Sequence, residues 1–112
     1  MRTPRSEIPD WLELTRSTDS RKRLEAVRKL CPCELKSDAV EVWERILQMG
    51  DDPDARVRRG VIHTLCDGSP VRYRAEIVKL LESRYHDPDD KVRKSIRRVL
   101  ANYRHSGNVN VL

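Results

Sequence analysis

Apolar residues recur along this chain at three- and four-residue steps. Val57, Val61 and Leu65 fall at i, i+4 and i+8, and Val92, Ile96 and Leu100 repeat the set. At about 100° per residue each set lies on one face of a helix. A period of 35 residues links the stretches, and segments 19–31, 54–66 and 89–101 align without a gap. Asp19, Asp54 and Asp89 open the copies, and Arg23, Arg58 and Arg93 follow four residues later. Ala26, Val61 and Ile96 come next, then Leu30, Leu65 and Leu100. Recurrence in residue type as well as spacing marks a repeat architecture.

Between the copies lie second amphipathic segments, Asp38 to Met49 and Val71 to Tyr85. They also align at 35, Val42 with Ile77, Trp43 with Val78 and Ile46 with Leu81. One period earlier stand Ile8 and Trp11, in a shorter and less regular stretch. The pattern therefore predicts an all-α chain of three helix pairs in one domain. The first repeat spans 1–33 and is degenerate, the second 34–68 and the third 69–103, with 104–112 as a tail. Asp52-Pro53 and Asp87-Pro88 break the chain ahead of two second helices, because a residue before proline disfavours helix. Asp54 and Asp89 then stand as N-caps for free first-turn amides. A single pair cannot bury its apolar stripe, whereas stacked pairs share one core.

The run Asp52-Pro53-Asp54-Ala55-Arg56-Val57-Arg58, its counterpart from Asp87 to Arg93, and the V/I and Leu positions that follow resemble HEAT-like repeats. The resemblance is to the short bacterial and archaeal, armadillo-like form, and covers roughly residues 19–101. It implies an α-α superhelix, or solenoid, whose second helices line a concave surface. It also implies a ladder between neighbouring repeats, built from Arg23, Arg58 and Arg93 with Asp19, Asp54 and Asp89. On function it is almost silent.

Charge adds a candidate surface. The chain carries 23 Lys and Arg against 18 Asp and Glu, a net of +5. The three second-helix segments hold 13 of those cations against 5 acids, so they carry net +8 and the rest of the chain net −3. Arg56, Arg59 and His63 point away from the apolar stripe. Their period-mates are Lys91, Lys94 and Arg98, and in the first copy Arg21 and Arg28, with Leu24 interrupting the row of Arg59. Helices pack about 8–10 Å apart, so these residues would form rows across the face. Such rows suit a non-catalytic scaffold that binds another protein through an acidic surface. The alternative is nucleic acid, gripped by its phosphates without choice of sequence. A plain solvated face is also compatible, since Lys and Arg are good helix formers. No Tyr or Trp is interleaved to stack on bases.

Little else suggests chemistry. Cys31-Pro32-Cys33 lacks the two-residue spacer and second pair of a typical zinc site. Cys31 and Cys66 share one repeat position, which predicts small, half-buried residues at a helix contact. His63, His86 and His105 are isolated in sequence and none precedes Glu, unlike the His-Glu pairs of HEAT-like hydroxylases. Trp11 and Trp43 fall on core-like positions rather than around a lesion pocket as in HEAT-like DNA glycosylases. No feature favours a bilin over other ligands. The expectation is no enzyme, no metal and no cofactor. Gly50 reads as a helix C-cap, and Arg104 to Leu112 as a frayed tail, with a short strand-like segment used by a partner as the alternative. The first ten residues are polar with two prolines, and no apolar run approaches the ~18 residues of a span. With an odd number of cysteines, this predicts a cytoplasmic protein without membrane contact. The oligomeric state stays open, with Val109, Val111 and Leu112 available to a dimer.

Overall fold

The computed structural model describes residues 2–36 and 38–112. Among them the α-helices are α1 (Ile8–Leu14), α2 (Ser20–Lys29), α3 (Val40–Gln48), α4 (Ala55–Leu65), α5 (Arg74–Ser83) and α6 (Asp90–Ser106), with no strand. Consecutive helices pack as pairs, α1 on α2, α3 on α4 and α5 on α6. The pairs stack through both layers, α2 on α4 on α6 and α1 on α3 on α5. This is the α-α solenoid that the 35-residue period predicts. No helix among the described residues is long and apolar enough to cross a membrane.

The second helices start where the sequence supplies a cap. Asp19, Asp54 and Asp89 have extended backbones, and their carboxylates accept the amide N–H of Arg21, Arg56 and Val92 respectively. Each helix then turns its apolar stripe inward. Val57, Val61, Leu65, Val92, Ile96 and Val99 from this layer meet Val42, Trp43, Ile46, Ile77 and Leu81 from the other, all buried. Trp43 stacks on Tyr73 with ring centroids 6.1 Å apart. Each such side chain contributes about 1.5–3 kcal/mol on burial, and the layers are thin, so no single contact dominates. The degenerate first helix, α1, has only seven residues and carries Pro9 in its first turn. It is held from the next pair by Arg45, whose guanidinium donates to the hydroxyl (2.9 Å) and carbonyl (3.1 Å) of Thr15.

Three expectations need correction. Gly50 is not a left-handed C-cap, for the positive-φ glycines are Gly68 and Gly107. It is buried in a 3-10 turn at Met49–Asp51. A Cβ there would stand 2.5 Å from Leu80 Cδ1, so the Leu80 side chain of α5 packs directly over this glycine and would have to shift for any larger residue. The tail does not fray. α6 runs on to Ser106 and ends at Gly107, whose φ of 71° forms a left-handed cap. The chain then folds back: Val109 is buried, and the Leu112 amide donates to the Cys66 carbonyl at 2.9 Å. Asn110 Oδ1 accepts from the Gly68 amide (2.8 Å), the Ser69 amide (2.9 Å) and the Ser69 hydroxyl (3.0 Å), closing the α4–α5 turn. Finally, Cys31 and Cys66 are fully buried rather than half-buried.

Candidate binding face

The ladder that fixes the second-helix layer uses different aspartates from those expected. Arg23 donates to Asp52 through Nε (2.9 Å) and Nη2 (3.1 Å), and Arg58 to Asp87 in the same bidentate way (2.9 and 3.0 Å). Asp19, Asp54 and Asp89 cannot serve, because their carboxylates are committed to their own helix N-termini. Asp52 and Asp87, two residues earlier, lie across the pair boundary and also accept the amides of Asp54 and Asp89. Ser17, their period-mate, does the same for Asp19. The third Nη1 donor of each arginine returns to its own turn: Arg23 to Ser17 O, Arg58 to Asp52 O, Arg93 to Asp87 O. Arg93 meets no aspartate of a further pair among the described residues and turns to Asp90.

Electrostatics follow from these contacts. Burial alone would raise the Asp87 carboxyl, but hydrogen bonds from Arg58, the Asp89 amide and Arg84 outweigh it and hold its pKa down at about 2. The hydrogen bond to Asp52 raises the Arg23 guanidinium above its ordinary value. With both arginines bound to neighbours, the ladder offers nothing to a ligand. It sets the spacing of α2, α4 and α6.

On the outward side of that layer stand the eight residues of the basic rows. Arg21 and Arg56 fold back onto their capping aspartates Asp19 (3.5 Å) and Asp54 (3.1 Å). Lys94 reaches Asp90 at 3.6 Å and His63 reaches Asp67 at 3.4 Å. Arg28, Arg59, Lys91 and Arg98 make no hydrogen bond or ion pair within the described residues, which leaves them as the uncommitted cations of the face. Between α2 and α4 runs an open groove of about 500 Å³, lined by Leu24, Arg28, Arg56, Arg59, Gly60 and Thr64 among others. Leu24, which breaks the basic row in the sequence, forms an apolar patch with Gly60. A Cβ at Gly60 would lie 3.0 Å from Leu24 Cδ1.

The same groove ends on a side-chain cluster that the sequence does not announce. Cys31 and Cys33 follow α2, while His63 and Asp67 belong to the end of α4 and the turn after it. Each offers a ligand atom, and the four lie within 4.8 Å of one another. The sequence pattern assigns Cys31 to a helix contact and His63 to the basic rows, and the fold sets the two side by side. Stacking brings residues 31–33 beside residues 63–67, nearly one period on. Burial pushes the Cys31 thiol up to about 12 and the Cys66 thiol likewise to about 12. Cys66, the repeat-mate of Cys31, stands outside the cluster.

No curated protein and no solved structure matches the chain. The family of HEAT repeats matches over residues 8–101, and such repeats generally mediate protein interactions as non-enzymatic scaffolds. Stacked helix pairs, capped second helices and a match over most of the length agree, and the chain belongs to the HEAT repeats family.

Proposed function

We propose that this chain is a non-catalytic cytoplasmic adaptor that binds an acidic protein segment along the outward face of α2, α4 and α6. The observation that carries the reading is a set of four cations with no hydrogen bond or ion pair among the described residues: Arg28 and Arg59, which line a groove with a Leu24–Gly60 apolar floor, and Lys91 and Arg98 on α6. A segment with spaced Glu or Asp residues and one aliphatic side chain fits that combination. Its carboxylates would pair with the free guanidiniums, and its aliphatic group would rest on Leu24. Arg21, Arg56 and Lys94, already paired to their own helices, would contribute less. Free cysteines fit a reducing compartment. Single-stranded nucleic acid is a poorer fit, because no aromatic ring on these rows offers a base a stacking surface.

The test is a fluorescence-anisotropy titration of a labelled Glu-rich peptide containing one Leu, with duplex DNA of similar length in parallel. The wild type should bind the peptide more tightly than the DNA, with a shallow salt slope because buried area supplies part of the affinity. An Arg28→Ala/Arg59→Ala variant should weaken peptide binding by about tenfold or more, as expected for two charge-assisted contacts of about 1 kcal/mol each. Tighter DNA binding that collapses with salt would replace this reading with the nucleic-acid one.

A further inference from the structure

We propose that Cys31, Cys33, His63 and Asp67 form a tetrahedral site for zinc or a divalent cation of similar softness, clamping the first helix pair to the second. The inference goes beyond the binding face and does not depend on it.

Four donor atoms, from the turn after α2 and from the end of α4 and the turn that follows it, converge there. Cys31 and Cys33 flank Pro32 in a tight turn after α2, closed by amide donations from Glu34 and Leu35 to the Cys31 carbonyl, both at 2.8 Å. His63 lies in the last turn of α4 and Asp67 in the turn just after it, and their side chains meet. Asp67 Oδ2 lies 3.6 Å from Cys31 Sγ and 3.4 Å from His63 Nε2. Zinc bonds of about 2.3 Å to sulfur and about 2.0–2.1 Å to nitrogen or oxygen imply ligand separations of roughly 3.3–3.8 Å in a tetrahedron. Those two distances already fall in that range. The widest separation is at most 4.8 Å, and rotation of the exposed Cys33 and His63 side chains would close it.

The donor set selects the ion. Two thiolates and one imidazole suit zinc and its softer neighbours, whereas magnesium and calcium require mostly oxygen ligands. Binding would displace the two thiol protons to solvent. Two thiolates, one carboxylate and a divalent ion sum to a single negative charge, and the uncommitted Arg28 and Arg59 line the same groove to balance it. The groove also supplies the entry path, since Cys33 and His63 both face it and are exposed. As a ligand through Nε2, His63 would be neutral and would leave the basic rows. The clamp has no counterpart one period later, where Gly68 replaces Cys33 and Arg98 replaces His63.

The experiment titrates the reduced, chelator-treated full chain with Co2+ as a spectroscopic stand-in, then displaces it with Zn2+. The expected result is one ion per chain, with the intense visible bands of tetrahedral cobalt and near-ultraviolet thiolate-to-cobalt charge transfer. Zn2+ should erase both. Cys33→Ser and His63→Ala should each weaken binding by about 100-fold or more, since even outer-shell changes cost 10–100-fold. Both residues are exposed, so far-UV circular dichroism should confirm that the variants keep the fold. Weak octahedral cobalt bands in the wild type, or tetrahedral bands that persist in both variants, would overturn the assignment. Peptide binding by the Arg28→Ala/Arg59→Ala variant reads the binding face separately, so either idea can fail alone.

Discussion

Asp87→Asn isolates the contact that ties the second helix pair to the third. The Asp87 side chain is fully buried and that of Arg58 only 8% exposed. Its carboxylate accepts two bonds from Arg58, bonds from Arg84 at 2.7 and 3.1 Å, and the Asp89 amide at 2.9 Å. Asparagine keeps the shape but removes the charge and turns an NH2 toward guanidinium donors. Breaking a buried pair from one side costs about 3–5 kcal/mol, because the other charge stays buried and uncompensated. Arg58 keeps its bonds to the carbonyls of Asp52 and Pro53, which places the expected loss at the low end, about 3 kcal/mol. Urea denaturation followed by circular dichroism should show a lower midpoint at an unchanged m-value. Lys94→Ala, which removes an exposed pair with Asp90, should cost under about 0.5 kcal/mol. A loss below about 1 kcal/mol for Asp87→Asn would refute the view that the Arg–Asp ladder holds the stack together.

Three further outcomes follow from the same contacts. Asp87 titrates at about 2 in the fold against 3.8 ordinarily, so its contribution is fully present above pH 3.8 and is lost as pH falls through about 2. That difference corresponds to about 2–3 kcal/mol, and acid titration of Asp87→Asn should lack this part of the loss. Asn110→Ala should destabilise by about 1–3 kcal/mol in thermal melts, because it leaves the buried Ser69 without the acceptor of its amide and hydroxyl. In the metal-free chain, iodoacetamide at pH 8 should label Cys33 readily. Cys31 and Cys66 should react only on unfolding, since burial and a pKa of about 12 leave roughly 1 thiolate in 10,000 at that pH.

The solenoid was legible because its determinants are local and repeated. A cap, an apolar stripe at helical spacing and a proline break recur at 35 residues and need no tertiary information. The ladder was half legible. Arg23 and Arg58 stand out by period, but two aspartates per repeat compete for them, and only the geometry shows that Asp54 is spent on an amide while Asp52 crosses to the next pair. Gly50 and Asn110 act through partners 30 and 42 residues away, Leu80 and Gly68, which no local pattern records. The cluster of Cys31, Cys33, His63 and Asp67 was missed for a related reason. Its ligands are not contiguous and do not repeat, so a search by period averages them away. Applying the period spatially, with residues near 31–33 placed beside residues near 66, would have exposed it.

Amide chemical-shift mapping of the labelled Glu-rich peptide on the nitrogen-15-enriched chain tests the central claim most directly. The account predicts perturbations centred on Leu24, Arg28, Arg59, Gly60 and Thr64 and extending to Lys91 and Arg98 on α6, with little change on α1, α3 and α5. Perturbations centred instead on the opposite layer, around Leu47, Glu76 and Leu80, or none at peptide concentrations that saturate anisotropy, would contradict it.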